Sequence, residues 1–225
     1  MDAIAVTLAT GGTYVGVAPL GTSLTDEQSA QLHQLGHRPP IVAPDADLAG
    51  RVAAERDYWI LAPYQHDHRF ARLPDGTDPA DLVANGQTAR LVDALTQARP
   101  LGKLLVDERF AHLPPAAAAL EAVRVVAAQP AARWETGAQG VADRLQLPAS
   151  LIRTALKDMV AAWNGDPRAA AQTALRDVTQ VKARLARDMT TGTAETVSAH
   201  HVTGAEHARR DIHRTAPAPT RGIDR

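Results

Sequence analysis

Short apolar runs alternate with turns and helical stretches over roughly the first 86 residues of this 225-residue chain, and beyond them the pattern is helical. Tyr14-Val15-Gly16-Val17-Ala18 and Pro40-Ile41-Val42-Ala43 have the length and composition of short strands, and His68-Arg69-Phe70-Ala71-Arg72-Leu73 alternates as a third. Thr25-Asp26-Glu27-Gln28 is a capping box that opens a helix through Leu35. Asp47 to about Leu61 reads as another helix. Strand, helix, strand, helix, strand is the order of a parallel α/β layer. The expected fold class is therefore α/β, a parallel sheet with flanking helices, followed by an all-helical region.

That second region is expected to run from residue 87 to about 189. Its segments are Gln87–Ala98, Leu101–His112, Ala116–Gln129, Arg133–Leu147, Ala149–Trp163 and Arg168–Asp188, with Pro or Gly at most joins. Pro148 and Pro167 stand where a first helical turn accepts proline. Ala116–Ala119 with Leu120, Val123 and Val126 read as helix core. From Thr190 onward Thr, Ala, Pro, His and Arg dominate without an apolar period, and residues 190–225 are expected to be a disordered tail.

Composition narrows the function classes. The 24 basic residues balance 25 acidic ones, leaving a net charge of −1, so no global field draws the chain to nucleic acid or an anionic membrane. Any nucleic-acid contact has to be a local patch. Only three of the basic residues are lysines (Lys103, Lys157 and Lys182), but the arginine excess goes with a high content of Ala, Pro and Gly and reads as codon bias. The absence of cysteine excludes disulfides, a thiolate nucleophile and Cys-based zinc sites. No apolar run reaches the roughly 18 residues of a membrane span, and nothing resembles a signal peptide, so no membrane partner and a cytoplasmic location are expected.

The strongest chemical signal is Val42-Ala43-Pro44-Asp45-Ala46-Asp47-Leu48-Ala49-Gly50-Arg51. Two carboxylates one residue apart stand at the carboxyl end of an expected strand, where a helix begins. In an open α/β sheet that edge is the usual ligand crevice. Clustered carboxylates resist ionising together unless a cation neutralises them, and hard oxygen donors suit Mg²⁺ or Mn²⁺. The plainer alternative is that Asp47 caps the helix and Asp45 lies in a turn. A second cluster, Leu73-Pro74-Asp75-Gly76-Thr77-Asp78-Pro79-Ala80-Asp81, follows the third strand. Turn and cap chemistry accounts for it alone. A parallel sheet, however, brings Asp45, Asp47, Asp75 and Asp78 to one edge, as divalent-metal chemistry on phosphates requires.

Four stretches in register carry a resemblance. Met1-Asp2-Ala3-Ile4-Ala5-Val6, Ala18-Pro19-Leu20-Gly21-Thr22-Ser23-Leu24-Thr25, Asp45-Ala46-Asp47-Leu48-Ala49-Gly50 and Leu73-Pro74-Asp75-Gly76-Thr77-Asp78-Pro79 together resemble the TOPRIM domain of bacterial DnaG-type primases. Order and spacing match over roughly residues 1–110. The helices of 111–189, as far as about Trp163, look like the helical part that follows TOPRIM there. The chain also resembles primase-like TOPRIM proteins of plasmids or mobile elements.

The resemblance implies a metal site with Asp45 and Asp47 as the central catalytic ligands of Mg²⁺ or Mn²⁺, supported by Asp75, Asp78 and Asp2. It places Gly21, Thr22 and Gly50 beside that site. It implies two-metal nucleotidyl transfer in DNA replication or plasmid transfer. Single-stranded DNA and nucleotides would be the substrates, and a helicase or relaxase the candidate protein partner. The resemblance also carries a departure. The family's first strand ends in a Glu-Gly pair, its general acid/base, a few residues before the position of Asp2, whereas this sequence starts at Met1. Primase activity is thus expected if that strand precedes Met1, and a catalytically silent form if it does not.

Other readings stay open at this stage. A TOPRIM nuclease would use the same metals to cleave phosphodiesters. Val141 to Leu156 resembles a helix-turn-helix, with Arg153 and Lys157 as nucleic-acid-binding candidates, which makes a non-catalytic DNA-binding accessory protein the alternative of a different class. His200, His201, His207 and His213 read as solvated tail residues rather than metal ligands. His66 and His68, flanking Asp67, read as surface residues of a loop.

Overall fold

The computed structural model describes residues 1–19, 24–36, 38–64 and 67–177. Residues 1–176 form one compact unit. The expected tail, with its four histidines, lies outside the described residues, as do Leu20, Gly21, Thr22 and His66.

The chain begins with helix α1 (Asp2–Ala9), acidic in its first turn, and turns back through Gly11 and Gly12, both at positive φ. Residues 15–19 then follow without regular secondary structure and without joining a sheet, so the first of the three expected strands does not pair among the described residues. Local side chains take up its backbone instead. The Gly16 amide donates to Thr7 Oγ1 at 2.9 Å and the Tyr14 amide to Thr10 Oγ1 at 3.2 Å, which straps the segment along α1. A Cβ at Gly16 would lie 2.2 Å from the Ala3 carbonyl oxygen, so only glycine lets the strap approach this closely.

Helix α2 (Asp26–Leu35) starts at the expected capping box: the Gln28 amide donates to Thr25 Oγ1, and the Thr25 amide to Gln28 Oε1. Strand β1 (Ile41–Val42) leads into α3 (Leu48–Leu61), and β2 (Arg69–Phe70) leads into α4 (Pro79–Ala84) and α5 (Thr88–Thr96). β1 and β2 pair in parallel, as the sequence leads one to expect. The region beyond residue 87 is not helical throughout, because β3 (Arg99–Pro100) pairs antiparallel with β2 and makes the sheet mixed, in the order β1-β2-β3. Two residues between helices are too short to show a strand period, which explains why this strand was not expected. α6 (Leu101–His112), α7 (Pro115–Ala127), α8 (Trp134–Leu145) and α9 (Ala149–Gly165) follow close to their expected limits, and residues 167–177 are again helical.

The sheet has two covered faces. Ala71 and Leu73 pack with Val6 of α1, Leu82 of α4 and Leu91 and Leu95 of α5, with Ile41 and Ala43 partly buried against them. On the other face His68 is 1% exposed, with its ring edge-on to Tyr58 of α3, so it is a core residue and not the surface residue expected. Alternation along β2 carries it inward, and a buried aromatic layer surrounds it: Trp59 is 1% exposed and packs near Trp163 of α9.

α3 is tied to the helical region by polar contacts. Tyr58 Oη donates to the Val125 carbonyl at 2.9 Å, and buried Glu55 pairs with Arg109 of α6. α7 lies at the centre of that region and buries Ala118, Ala122, Val123, Val125 and Val126. Leu120, expected in the core, is 53% exposed, and Ala116 and Ala117 are exposed too, because the buried stripe of α7 passes through Ala118 and Ala122 instead. No helix among the described residues is long and apolar enough to cross a membrane.

Candidate metal-binding edge

β1 and β2 leave the sheet at the same edge because they are parallel and in register, Ile41 beside Arg69 and Val42 beside Phe70. Each runs into an acidic turn. The two turns bond directly to one another: the Ala46 amide donates to the Thr77 carbonyl at 3.3 Å, and the Gly76 amide to the Ala46 carbonyl at 3.4 Å. Thr77 Oγ1 donates to the Pro74 carbonyl at 2.7 Å and closes the second turn, whose Gly76 takes a φ of 71°. The structure thus brings the Asp45–Asp47 pair alongside the Asp75–Asp78 turn.

Three of the carboxylates also act as helix caps. Asp47 Oδ1 accepts from the Gly50 amide at 2.6 Å, at the start of α3. Asp78 Oδ1 accepts from the Asp81 amide at 2.6 Å, at the start of α4. Asp2 Oδ1 accepts from the Ala80 amide at 3.3 Å, which joins the first turn of α1 to the first turn of α4. Capping and metal ligation are therefore compatible readings of Asp47 and Asp78, since each cap uses one carboxylate oxygen. The positive ends of α3 and α4 both point at this edge and offset part of its negative charge. Gly50 is needed there: its Cβ would lie 2.0 Å from the Asp45 carbonyl oxygen.

Asp45 is the focus of the cluster. Loss of solvent, followed by the charges of Asp78, Asp2, Asp47 and Asp81, pushes its carboxyl above the usual carboxylate value. Asp81 was not singled out as a site residue in the sequence. Its position at the third residue of the helix capped by Asp78 was the available signal. Asp75 stands exposed at the tip of its turn. The donor set fits a hard divalent cation in kind, being carboxylate oxygens gathered around Asp45. It is not gathered into one coordination sphere, because no three His, Asp or Glu side chains among the described residues are arranged to hold a metal ion.

Arg153 and Lys157 stand apart from this edge, on α9. Arg153 is engaged by Glu135 of α8, with its Nε 3.1 and 3.2 Å from the two carboxylate oxygens, and the pair holds Glu135 below its usual pKa. The α8–α9 turn is closed by Gln146 in the left-handed region, at φ 54°. That is a packed helical hairpin whose arginine already has a partner.

Residues 1–83 match the family model described as Toprim-like. This stretch is similar to the TOPRIM domain of DnaG-type primases. Among curated proteins, the DNA primase of Haemophilus influenzae is 31% identical over 164 residues, which is 72% of this chain and 25% of that protein. The DNA primase of Escherichia coli K12 is 38% identical over 110 residues, 48% of this chain and 18% of the relative. Among solved structures, a DNA primase domain from Pseudomonas aeruginosa superposes with a TM-score of 0.57 at 27% identity, over 69% of this chain and 51% of that one. The DnaG primase catalytic domain bound to single-stranded DNA gives 0.56 at 26% identity, over 67% of this chain and 50% of that one. The chain therefore spans a quarter or less of these curated relatives and about half of these solved chains. The TOPRIM-like match ends at residue 83, within α4, and so takes in both acidic turns.

Proposed function

We propose that the acidic edge of the TOPRIM-like domain binds Mg²⁺ or Mn²⁺ and serves nucleotidyl transfer on single-stranded DNA, in replication or plasmid transfer. The observation that supports this reading best is the pair of backbone bonds between Ala46 and the 76–77 turn, which lock two acidic turns side by side at the strand ends. Asp45 and Asp47 would hold the cation, with Asp78 and Asp2 beside them and Asp75 reaching in from the turn tip. When bound, a divalent cation neutralises phosphate charge and activates an attacking hydroxyl.

The chain's own residues do the positioning. The Gly50 amide fixes one oxygen of Asp47 and leaves the other for a ligand. The Ala80 and Asp81 amides do the same for Asp2 and Asp78. Asp45, with the most crowded carboxylate, is the group whose ionisation a cation would favour most. Proton transfer is assigned to none of them.

The test is nucleotide incorporation on a single-stranded DNA template with Mg²⁺ or Mn²⁺. Incorporation by the wild type that is lost in D45N/D47N supports the reading. Equal activity of the double variant would overturn it, and so would cleavage of the template without synthesis.

A further inference from the structure

The face of β2 opposite the main apolar cluster carries charge that no acidic side chain among the described residues pairs with. His68, Phe70 and Arg72 share that face by strand alternation, and His68 at its inner end is buried under Tyr58. Moving outward along the strand, Phe70 is half-buried and Arg72 exposed. Phe70 pairs directly with Arg99 of β3, which is also exposed. Arg72 lies two residues beyond Phe70 and so follows it on the face that Arg99 shares.

Neither arginine has an acidic partner among the described residues. Arg109, Arg124, Arg133, Arg144 and Arg153 each pair with a carboxylate, whereas Arg51, Arg56, Arg69 and Arg90 do not among the described residues; what sets Arg72 and Arg99 apart is that they share one face of adjacent strands. Two like charges on adjacent strands repel one another, and a ligand carrying successive negative charges relieves that repulsion. The pair also has a direction. Arg72 lies three residues before Asp75, so the charged face runs along β2 toward the acidic edge.

We propose that Arg72 and Arg99 hold two phosphates of a single-stranded nucleic acid and lead it from the β2–β3 face to the acidic turns. The proposal rests on the reading of that edge as a site of nucleic-acid chemistry. Guanidinium groups suit this task because they bind phosphate oxygens through paired N–H donors. The balanced net charge of the chain makes a local pair of this kind the way it can attract a polyanion.

Fluorescence anisotropy of a labelled oligo-dT strand, read across a salt series, tests the proposal. The variant R72Q/R99Q should bind roughly tenfold more weakly, and its log–log salt slope should fall by about 1.4, at about 0.7 per single-strand phosphate contact. R72K/R99K should restore the slope, since it restores the charges. Both positions are exposed, so the unfolding midpoints of the variants should match the wild type. Unchanged affinity and slope in R72Q/R99Q would overturn the proposal. So would full displacement of the strand by nucleoside triphosphate, which would assign the pair to triphosphates. No binding by the wild type would also overturn it. A wild type that binds strand through this pair yet incorporates no nucleotide would leave the arginine pair standing and remove the reading of the acidic edge.

Discussion

The amide of Ala46 donates to the carbonyl of Thr77 at 3.3 Å, and this bond joins the turn that follows β1 to the turn that follows β2. Parallel pairing of the two strands places the turns side by side, and the bond fixes their separation. The site is therefore held by backbone, while three of its carboxylates, Asp2, Asp47 and Asp78, are anchored to helix amides. That division of labour shapes what each substitution should do.

Gly50→Ala places a methyl group 2.0 Å from a backbone oxygen of Asp45, which cannot swing aside as a side chain can. Either α3 or the Asp45 turn has to shift. The expected cost is about 1–3 kcal/mol, together with weakened divalent-cation binding. Urea unfolding and a metal titration on the same sample check both. Wild-type values for both would remove the close approach as a constraint.

Asp47 should separate capping from ligation. Asp47→Ala loses the hydrogen bond from Gly50 and should cost about 1 kcal/mol of stability, whereas Asp47→Asn keeps a competent cap and should cost much less. Both should weaken Mn²⁺ binding. If Asp47→Asn bound Mn²⁺ as tightly as wild type, Asp47 would be a cap alone.

These caps show what the sequence made readable. The capping box at Thr25, the helix start at Asp47 and the parallel relation of β1 and β2 all follow from local patterns that the fold leaves intact. The segment from Tyr14 carries the apolar alternation of a strand, but the hydroxyls of Thr10 and Thr7 take the amides of Tyr14 and Gly16, a choice that strand propensity does not encode. β3 is two residues long and has no period to read. His68 shows the limit from the other side: a polar neighbourhood in sequence, with His66 and Asp67 beside it, says nothing about the aromatic layer that buries it. At the acidic edge, the placement of Asp45, Asp47, Asp75 and Asp78 at the strand ends was legible. The part played by Asp81 was not, because it depends on how α4 is seated against the Asp45 turn.

Asp57 should make stability pH-dependent. Burial pushes its carboxyl from 3.8 to about 6, with Arg56 opposing the shift. A carboxyl raised in the folded state favours folding while it is protonated. That contribution is complete below about pH 4 and is lost as pH rises through 6. Asp57→Asn should therefore stabilise the protein at pH 7, on the order of 1–3 kcal/mol, and the gain should vanish near pH 4. Urea midpoints at pH 4, 5.5 and 7 check it (chosen to bracket the shift). A gain independent of pH would contradict the account.

The buried pair of Glu55 and Arg109 should behave as a unit. Arg109→Met strips the charge partner from a carboxylate that is 4% exposed and should cost about 3 kcal/mol. Adding Glu55→Gln should recover much of that loss, because the unmatched charge is gone. A double-mutant cycle by chemical unfolding gives the coupling, and additive losses would show that the two side chains act independently.

The central claim is that the carboxylates at the ends of β1 and β2 hold a divalent cation. Calorimetric titration of Mn²⁺ into the wild type and into D45N/D47N tests it most directly. Saturable binding by the wild type and loss of that binding in the folded double variant is the result expected. Equal binding by both proteins, or no binding by the wild type at millimolar Mn²⁺, would contradict it.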